Sequence, residues 1–370
     1  MNWTQTDIRS MARALELARR GQYSTHPNPA VGCVIVKDGE VVGEGFHPKA
    51  GEPHAEVFAL RQAGYKAIGA TAYVTLEPCS HYGRTPPCAE ALINLGVSRV
   101  VAAMVDPNPQ VAGRGMRMLQ EAGIKAQSGL MEAESRAINP GFIKRMESGR
   151  PLIRIKLAAS IDGGTALANG QSQWITGPEA RADVQRLRLE SGAVITGADS
   201  VLMDNPSMNV RPSQLPTHIE LPDNWHHPLR VVVDGQGRLS PDLKLFQIEQ
   251  PILLASHQPS RHNWPAHVDC WQGPKLSDKL DLNAIVAELA ERQVNSVLVE
   301  SGARLAGAFI AAGLWDELIV YQAPKMMGDS SRGLVHLPEF STMSEVPEFK
   351  FKDVRRVGQD LRLTLVRAES

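Results

Sequence analysis

Short apolar runs and helical segments alternate along the whole chain, and this alternation most constrains its fold, because it predicts layered α/β structure. In the first half we expect a helix over residues 6–20, with Thr4 and Asp7 spaced as a capping box. A hairpin is predicted over residues 31–46, since two apolar runs flank a Lys-Asp-Gly turn. Helices and strands then alternate, and residues 131–147 are predicted to form one helix.

Turn residues divide the chain near its middle, where Ser148-Gly149-Arg150-Pro151 precedes a new apolar strand at 152–159. A chain of 370 residues is too long for one ordinary core. We therefore expect a first domain over residues 1–147 and a second α/β domain over 151–370. Residues 213–228 lack a clear pattern and are rich in Pro and His.

The composition is that of a soluble globular protein, with 21% charged and 43% hydrophobic residues. A formal net charge of −1 provides no basic field for a nucleic-acid backbone. The segment Thr4–Gly21 is interrupted by arginines, unlike a signal peptide, and no apolar run reaches the roughly 20 residues of a membrane helix. We expect a cytoplasmic protein with neither membrane nor nucleic-acid partners.

Three potential zinc ligands occur in the first half, in the order His54, Cys79 and Cys88. Three protein ligands leave a fourth position for water, which is typical of a catalytic zinc. Glu56, two residues after His54, is placed to act as the general acid and base instead of as a ligand. We expect one Zn²⁺ per chain. The alternative for each residue alone is a helix-start histidine or an inert core thiol.

Eight residues separate Cys79 from Cys88, whereas the general deaminase pattern has two. This insert contains His81 and Arg84, which suit a phosphorylated substrate. A solvated loop is the alternative. Cys33 is predicted to be buried in a strand.

Six segments of the chain form a recognisable set, namely Thr25–Gly32, His54–Glu56, Glu77–Cys88, Lys156–Gly163, Thr196–Ser200 and Glu300–Gly302. Together they resemble the bifunctional deaminase/reductase family of riboflavin biosynthesis. In that family the eight-residue insert is normal. Because two independent motif sets occur in the family's order, the resemblance is specific and runs over nearly the whole length.

The resemblance implies a cytidine-deaminase-like α/β/α domain followed by a dihydrofolate-reductase-like α/β domain. It implies zinc-dependent deamination of 2,5-diamino-6-ribosylamino-4(3H)-pyrimidinone 5′-phosphate, and then NADPH-dependent reduction of the ribosyl to a ribityl side chain. Asn28, His81 and Arg84 are implied to bind the deaminase substrate.

The second half has no Gly-x-Gly-x-x-Gly after a strand, so the residues alone do not indicate a Rossmann site. The resemblance implies contacts with NADPH at Ala158, Trp174, Ser200, Asp204, Gly235, Gly302, Ala303, Arg304, Leu305, Ala306, Gly307 and Ala308. It implies contacts with the reductase substrate at Lys156, Ser172, Arg188, Met208, Arg211 and Glu300.

Individual chemistry supports some of these roles. Arg188 and Arg211 suit a phosphate, because a guanidinium group matches phosphate oxygens bidentately. The candidates for proton transfer are Lys156, Asp204 and Glu300, and the sequence does not choose among them. Without the resemblance, Trp174 would be assigned to the core.

Two other functions are compatible with parts of the pattern. A deaminase of nucleic acids or free nucleosides conflicts with the near-zero net charge and with the insert. A zinc-stabilised binding protein would not need Glu56 beside an open metal position. We expect a homo-oligomer, either a dimer or a tetramer, that acts on small phosphorylated pyrimidines.

Overall fold

The computed structural model describes residues 2–82, 86–109 and 111–368. The chain forms two compact units. Unit 1 comprises Met1–Gly149 together with Pro222–His226, and unit 2 comprises Arg150–Leu221 together with His227–Ser370. The sequence pattern did not indicate that residues 222–226 pack with the first unit.

The helices and strands of unit 1 follow the predicted alternation. In chain order they are α1 Gln5–Arg20, β1 Gly32–Lys37, β2 Glu40–Phe46, α2 Ala55–Ala63, β3 Thr71–Val74, α3 Cys88–Asn94, β4 Arg99–Ala102, α4 Arg114–Glu121, β5 Lys125–Ser128, α5 Glu132–Ile138 and α6 Pro140–Ser148.

The sheet of unit 1 has the order β2-β1-β3-β4-β5. The β1–β2 hairpin is antiparallel, and β3, β4 and β5 are parallel to one another. Alternate residues of β1 face opposite sides: Cys33 and Ile35 join one buried cluster, and Val34 and Val36 join another. Helices cover both faces as a result, which is the expected α/β/α layering, and Cys33 is fully buried as predicted.

The start of α1 shows why the first helix begins where it does. Thr4 caps the helix through the predicted box, in which each of Thr4 and Asp7 accepts from the other's backbone N–H. The buried Asp7 carboxylate also accepts hydrogen bonds from Tyr73 at 2.8 Å and Arg99 at 2.6 Å. This network fastens α1 to strands β3 and β4.

Unit 2 is also α/β. Its elements are β6 Leu152–Ser160, α7 Pro178–Leu189, β7 Ala193–Gly197, α8 Ala198–Asp204, β8 Leu229–Val233, β9 Ile252–Ser256, β10 Val268–Gln272, β11 Lys275–Leu276, β12 Lys279–Leu280, α9 Leu282–Glu291, β13 Ser296–Glu300, α10 Ala303–Ala311, β14 Glu317–Ala323, β15 Phe349–Val357 and β16 Asp360–Arg367.

The main sheet of unit 2 has the order β10-β9-β8-β7-β13-β6-β14-β16-β15. Strands β10 to β14 in this order are parallel, and β16 and β15 add an antiparallel hairpin at one edge. Strand β13 is buried throughout. The carboxyl ends of β6, β7 and β13 meet at one edge, where ligands of parallel α/β sheets bind.

The structure corrects one predicted helix and adds strands. Residues 131–147 form two helices, α5 and α6, because Pro140 starts a new helix after Asn139. Strands β10 and β15 were not predicted, since their side chains are largely exposed and their apolar pattern is weak. Among the described residues, none of the helices is long and apolar enough to span a bilayer.

Candidate active sites

Three predicted metal ligands converge in unit 1. His54 lies immediately before α2, Cys88 is the first residue of α3, and Cys79 follows β3. The His54 Nδ1 atom lies 3.6 Å from Cys79 Sγ and 3.3 Å from Cys88 Sγ. All three donor atoms lie within 4.8 Å of one another. The three residues that the sequence predicts as metal ligands therefore lie close enough together to bind one ion.

Two glycines allow the backbone to approach closely enough for this arrangement. A Cβ atom at Gly45 would lie 2.3 Å from the carbonyl oxygen of Ala55, in the first turn of α2. A Cβ atom at Gly115 would lie 1.9 Å from the carbonyl oxygen of Pro78, which precedes Cys79. Both distances are shorter than any real carbon contact, so each position requires glycine.

The buried carboxylate of Glu77 fixes the loop that leads to α4. It accepts hydrogen bonds from the backbone N–H groups of Asp106, Gly113 and Met116 at 2.9 to 3.1 Å. Glu77 thereby ties the segment that precedes Cys79 to the loop beyond β4.

The electrostatics of the two thiols favour a metal. The hydrogen bond from Cys88 and then the proximity of His54 lower the pKa of Cys79 to about 4, against the opposing effect of burial. The pKa of Cys88 is raised by the same hydrogen bond and by burial. Zinc binds the thiolate form of cysteine, so the lowered pKa of Cys79 favours metal binding. One imidazole and two sulfur donors fit Zn²⁺.

Glu56 lies beside this donor set and is only 3% exposed. Burial raises its pKa to about 7, although His54 opposes this shift. A carboxyl group with a pKa near neutrality can both accept and return a proton. Glu56 lies in the first turn of α2, directly after the ligand His54, but it is not one of the three residues whose donor atoms converge.

Two of the predicted substrate residues, Asn28 and His81, lie near the same centre. Asn28 Nδ2 lies 3.1 Å from His47 Nε2, and the His47 ring lies 5.3 Å from the His54 ring. His81 is exposed and interacts electrostatically with Asp106. Arg84 lies outside the described residues. His47 and Asp106 also lie here although neither belongs to a local sequence motif, because only the tertiary fold brings them to this centre.

In unit 2, a buried ion cluster forms at the end of β13. Arg188 contacts both carboxylate oxygens of Glu300, at 2.6 and 3.0 Å, and Lys156 Nζ lies 3.4 Å away. Burial alone would raise the pKa of Glu300, but Arg188 and Lys156 outweigh it and lower the pKa to about 2. Glu300 is therefore an anion at any physiological pH.

The cluster changes the role expected for Arg188. Its third hydrogen bond goes to the carbonyl oxygen of Asn209 at 2.9 Å, and the residue is 8% exposed. A guanidinium group so committed is not available to clasp a phosphate bidentately. Arg211 is more exposed than Arg188, and its charge interacts with the charges of Arg188 and Glu300. Met208, which precedes Arg211 in the chain, is buried and has a φ of 54°.

Asp204 and Ser172 form a second group. Asp204 is the last residue of α8, and its carboxylate is hydrogen-bonded to Ser172. Partial burial nevertheless raises the pKa of Asp204. A carboxyl group with a raised pKa is better suited to donate a proton than one held ionised.

The start of α10 has open backbone donors. Gly302 N donates to Ser200 Oγ at 3.1 Å, no side chain caps the helix within the described residues, and Arg304 is exposed. Uncapped amides at a helix start fit a phosphate group of a dinucleotide. Ala306 and Gly307 differ from the prediction. Ala306 is fully buried, and Gly307 packs against the backbone of His336, so both serve packing.

The remaining predicted cofactor positions are dispersed around this sheet edge. Ala158 lies on β6, Gly235 follows β8 next to His257, and Ala308 lies within α10. Trp174 is 62% exposed, with Arg181 over its ring at 4.7 Å. It is therefore not a core residue.

Comparisons with known proteins agree with both halves. Residues 4–104 match the family model described as "Cytidine and deoxycytidylate deaminase zinc-binding region", and residues 151–363 match "RibD C-terminal domain". The curated "Riboflavin biosynthesis protein RibD" of Escherichia coli K12 is 54% identical over 361 residues, which cover 97% of this chain and 98% of that protein. The protein of the same name from Bacillus amyloliquefaciens is 39% identical, covering 96% and 95%.

Solved structures show the same architecture. The structure named "Acinetobacter baumannii RibD, form 1" superposes with a TM-score of 0.90 at 46% identity, covering 99% of both chains. A Thermotoga maritima structure titled diaminohydroxyphosphoribosylaminopyrimidine deaminase/5-amino-6-(5-phosphoribosylamino)uracil reductase has a TM-score of 0.86 at 32% identity, covering 98% and 99%. The predicted fold class, a cytidine-deaminase-like domain followed by a reductase domain of dihydrofolate-reductase type, is confirmed.

We predict that replacing the two thiols removes the metal. A Cys79→Ser/Cys88→Ser protein should contain less than about a tenth of the parent's zinc, because two of three protein donors to the metal are lost. Elemental analysis of the purified protein measures this ratio. Cys270→Ser is the matched control, because Cys270 is exposed and remote in sequence from the ligands. Full zinc in the double variant would show that the assigned ligands are wrong.

Proposed function

Because this chain belongs to the RibD family, the bifunctional deaminases and reductases of riboflavin biosynthesis, we propose that unit 1 carries the deamination and unit 2 the reduction. The observation that carries the proposal is the convergence of His54, Cys79 and Cys88 beside the buried Glu56. A structural zinc site has no use for such a carboxyl group. The ion cluster around Glu300 supports a separate polar site in unit 2.

For the first step we propose that His54, Cys79 and Cys88 hold one Zn²⁺. When bound, zinc lowers the pKa of a coordinated water to about 7. Glu56 accepts a proton from the attacking water and delivers it to the pyrimidine ring nitrogen. That proton stays on the ring nitrogen. Glu56 then carries the second proton of the water from the new hydroxyl group to the amino group, the carbon–nitrogen bond breaks, a carbonyl forms and ammonia leaves.

The substrate proposed for this chain is 2,5-diamino-6-ribosylamino-4(3H)-pyrimidinone 5′-phosphate. Asn28 offers an amide group beside the metal-binding residues, where it can hydrogen-bond to the ring. His81 is exposed at the edge of the site and can reach the ribose or the phosphate. Arg84 remains a predicted phosphate ligand.

For the second step we propose that NADPH binds at the start of α10. When bound, it supplies a hydride to the sugar carbon. The proposed phosphate ligands are the backbone amides of Ala303 to Leu305 and the exposed Arg304, and the absence of a side-chain cap at this helix start supports them. Ser200 on α8 accepts a hydrogen bond from Gly302 at this position. Further predicted contacts are Ala158, Trp174, Asp204, Gly235 and Ala308.

The ionised state of Glu300 reduces the number of candidate proton donors in unit 2. Because Glu300 stays ionised, we assign it to binding and orienting Lys156 and Arg188 instead of to donating a proton. Lys156 and Asp204 remain the candidate donors. We propose that Arg211 holds the substrate phosphate, since Arg188 is committed to Glu300 and Asn209. Ser172 and Met208 remain predicted substrate contacts.

We further propose a homo-oligomer, a dimer or a tetramer, in the cytoplasm. The edge strand β15 supports self-association, because Phe351 and Val354 on it are 65% and 54% exposed. The net charge of −1 supports small-molecule substrates over nucleic acid.

The deamination proposal is tested by Glu56→Gln, which removes the proton carrier and leaves all three metal ligands. We expect zinc to stay at the parent level and ammonia release to fall by about 10²-fold or more. NADPH oxidation with the deaminated uracil ribotide should be unchanged. Near-parent ammonia release would show that another group carries the proton.

Asp204→Asn tests the second step and is preferable to Glu300→Gln, because Glu300→Gln would leave buried Arg188 without its counter-charge. We expect Asp204→Asn to release ammonia at the parent rate and to reduce the uracil ribotide about tenfold more slowly or worse. The deaminated intermediate should accumulate and be detected by chromatography. A variant that reduces this compound at the parent rate would exclude Asp204 from the reductase site.

A further inference from the structure

We propose that the segment Pro222–His226, encoded in the second half of the chain, is a positioning element of the deaminase site. Residues 222–226 pack as part of unit 1, whereas the residues before and after them belong to unit 2. The inference rests on the proposed deamination. It concerns the loop Tyr23–Asn28 and the neighbouring His47, which border the metal-binding residues.

His226 makes the principal contacts of the segment. Its backbone N–H and its ring Nδ1 both contact the carbonyl oxygen of Tyr23, at 2.8 and 2.9 Å. Since a carbonyl oxygen only accepts, the Nδ1 atom must carry the proton. The His226 ring also lies over the His26 ring, with 5.4 Å between centroids and 31° between planes.

Asn224 provides the second attachment. Its side-chain Nδ2 donates to the carbonyl oxygen of Pro48 at 3.2 Å. Ser24 Oγ donates to the same oxygen at 2.6 Å. Pro48 is thus held by the segment and by the Tyr23–Asn28 loop together.

The attached residues lead directly to the active site. Pro48 follows His47 in the chain, and His47 Nε2 lies 3.1 Å from Asn28 Nδ2. Asn28 N donates to Thr25 O at 2.8 Å within the loop. His47 Nδ1 is held by Pro53 O at 3.0 Å, just before the ligand His54. A shift of Tyr23 or Pro48 would therefore move Asn28 and His47 relative to the metal ligands.

The segment does not touch the proton carrier or the ligands through these contacts. Glu56, His54 and Cys88 are fixed by helices α2 and α3. The segment should therefore affect how the substrate is held more than how the proton is moved. A chain that ends near residue 149 would keep the proposed metal ligands and Glu56, but the Tyr23–Asn28 loop and Pro48 would lack the contacts from Asn224 and His226.

The test uses the full-length protein with Asn224→Ala and His226→Ala combined. We expect kcat/KM for ammonia release to fall about tenfold, mainly through a higher KM, because small displacements of binding groups reduce productive orientation. Zinc content and NADPH oxidation with the uracil ribotide should match the parent. Asp223→Ala is the matched control, since Asp223 is an exposed residue of the same segment.

A single pair of variants separates positioning from a general loss of stability. His226→Asn keeps an N–H donor near the Nδ1 position. Its KM should therefore be much closer to the parent value than the raised KM of His226→Ala. Unchanged deamination kinetics in the double variant would overturn the inference. So would a loss of zinc with no recovery in His226→Asn, since that pattern indicates destabilisation. Absence of ammonia release from the parent would instead contradict the proposed function.

Discussion

The arrangement of the first site depends on how closely helices and loops pack against the β-sheet of unit 1. Gly45 lets the first turn of α2 approach strand β2, and Gly115 lets α4 approach the backbone before Cys79. These two contacts set the positions of His54, Glu56 and Cys79. A methyl group at either glycine would overlap a carbonyl oxygen, so the metal donors could not keep their separation. The site thus depends on two glycines, Gly45 and Gly115, that have no reactive side chain.

Each unit contains a buried carboxyl group, and the surroundings shift the pKa values of these two groups in opposite directions. Glu56 is buried without a compensating cation strong enough to ionise it, and its pKa rises to about 7. Glu300 is equally buried but lies between Arg188 and Lys156, and its pKa falls to about 2. The first carboxyl group can therefore move a proton, whereas the second can only organise positive charge. This difference underlies the division between a proton carrier and a binding group.

The sequence predicted the parts of the structure that depend on local pattern. The capping box of α1, the hairpin and the order of ligands from His54 to Cys88 each follow from neighbouring residues, and the fold class followed from the family resemblance. The roles of Arg188, Ala306 and Trp174 could not be read in this way, because burial and ion pairing are set by residues distant in sequence. The packing of residues 222–226 with unit 1 and the contribution of His47 are likewise products of the tertiary fold.

The two proposed active sites of this chain should work independently, and an experiment that mixes two inactivated variants can show this. Equimolar Glu56→Gln and Asp204→Asn proteins would be incubated with the diaminopyrimidine ribotide and NADPH, and the absorbance of NADPH followed. From this substrate, Glu56→Gln alone should oxidise NADPH at about a hundredth of the parent rate or less and Asp204→Asn alone at about a tenth or less, so neither should approach the parent rate. We predict that the mixture does, because one variant supplies the deaminated intermediate and the other reduces it. If the mixture is no more active than its components, although each protein retains its own single step, the two sites do not work independently.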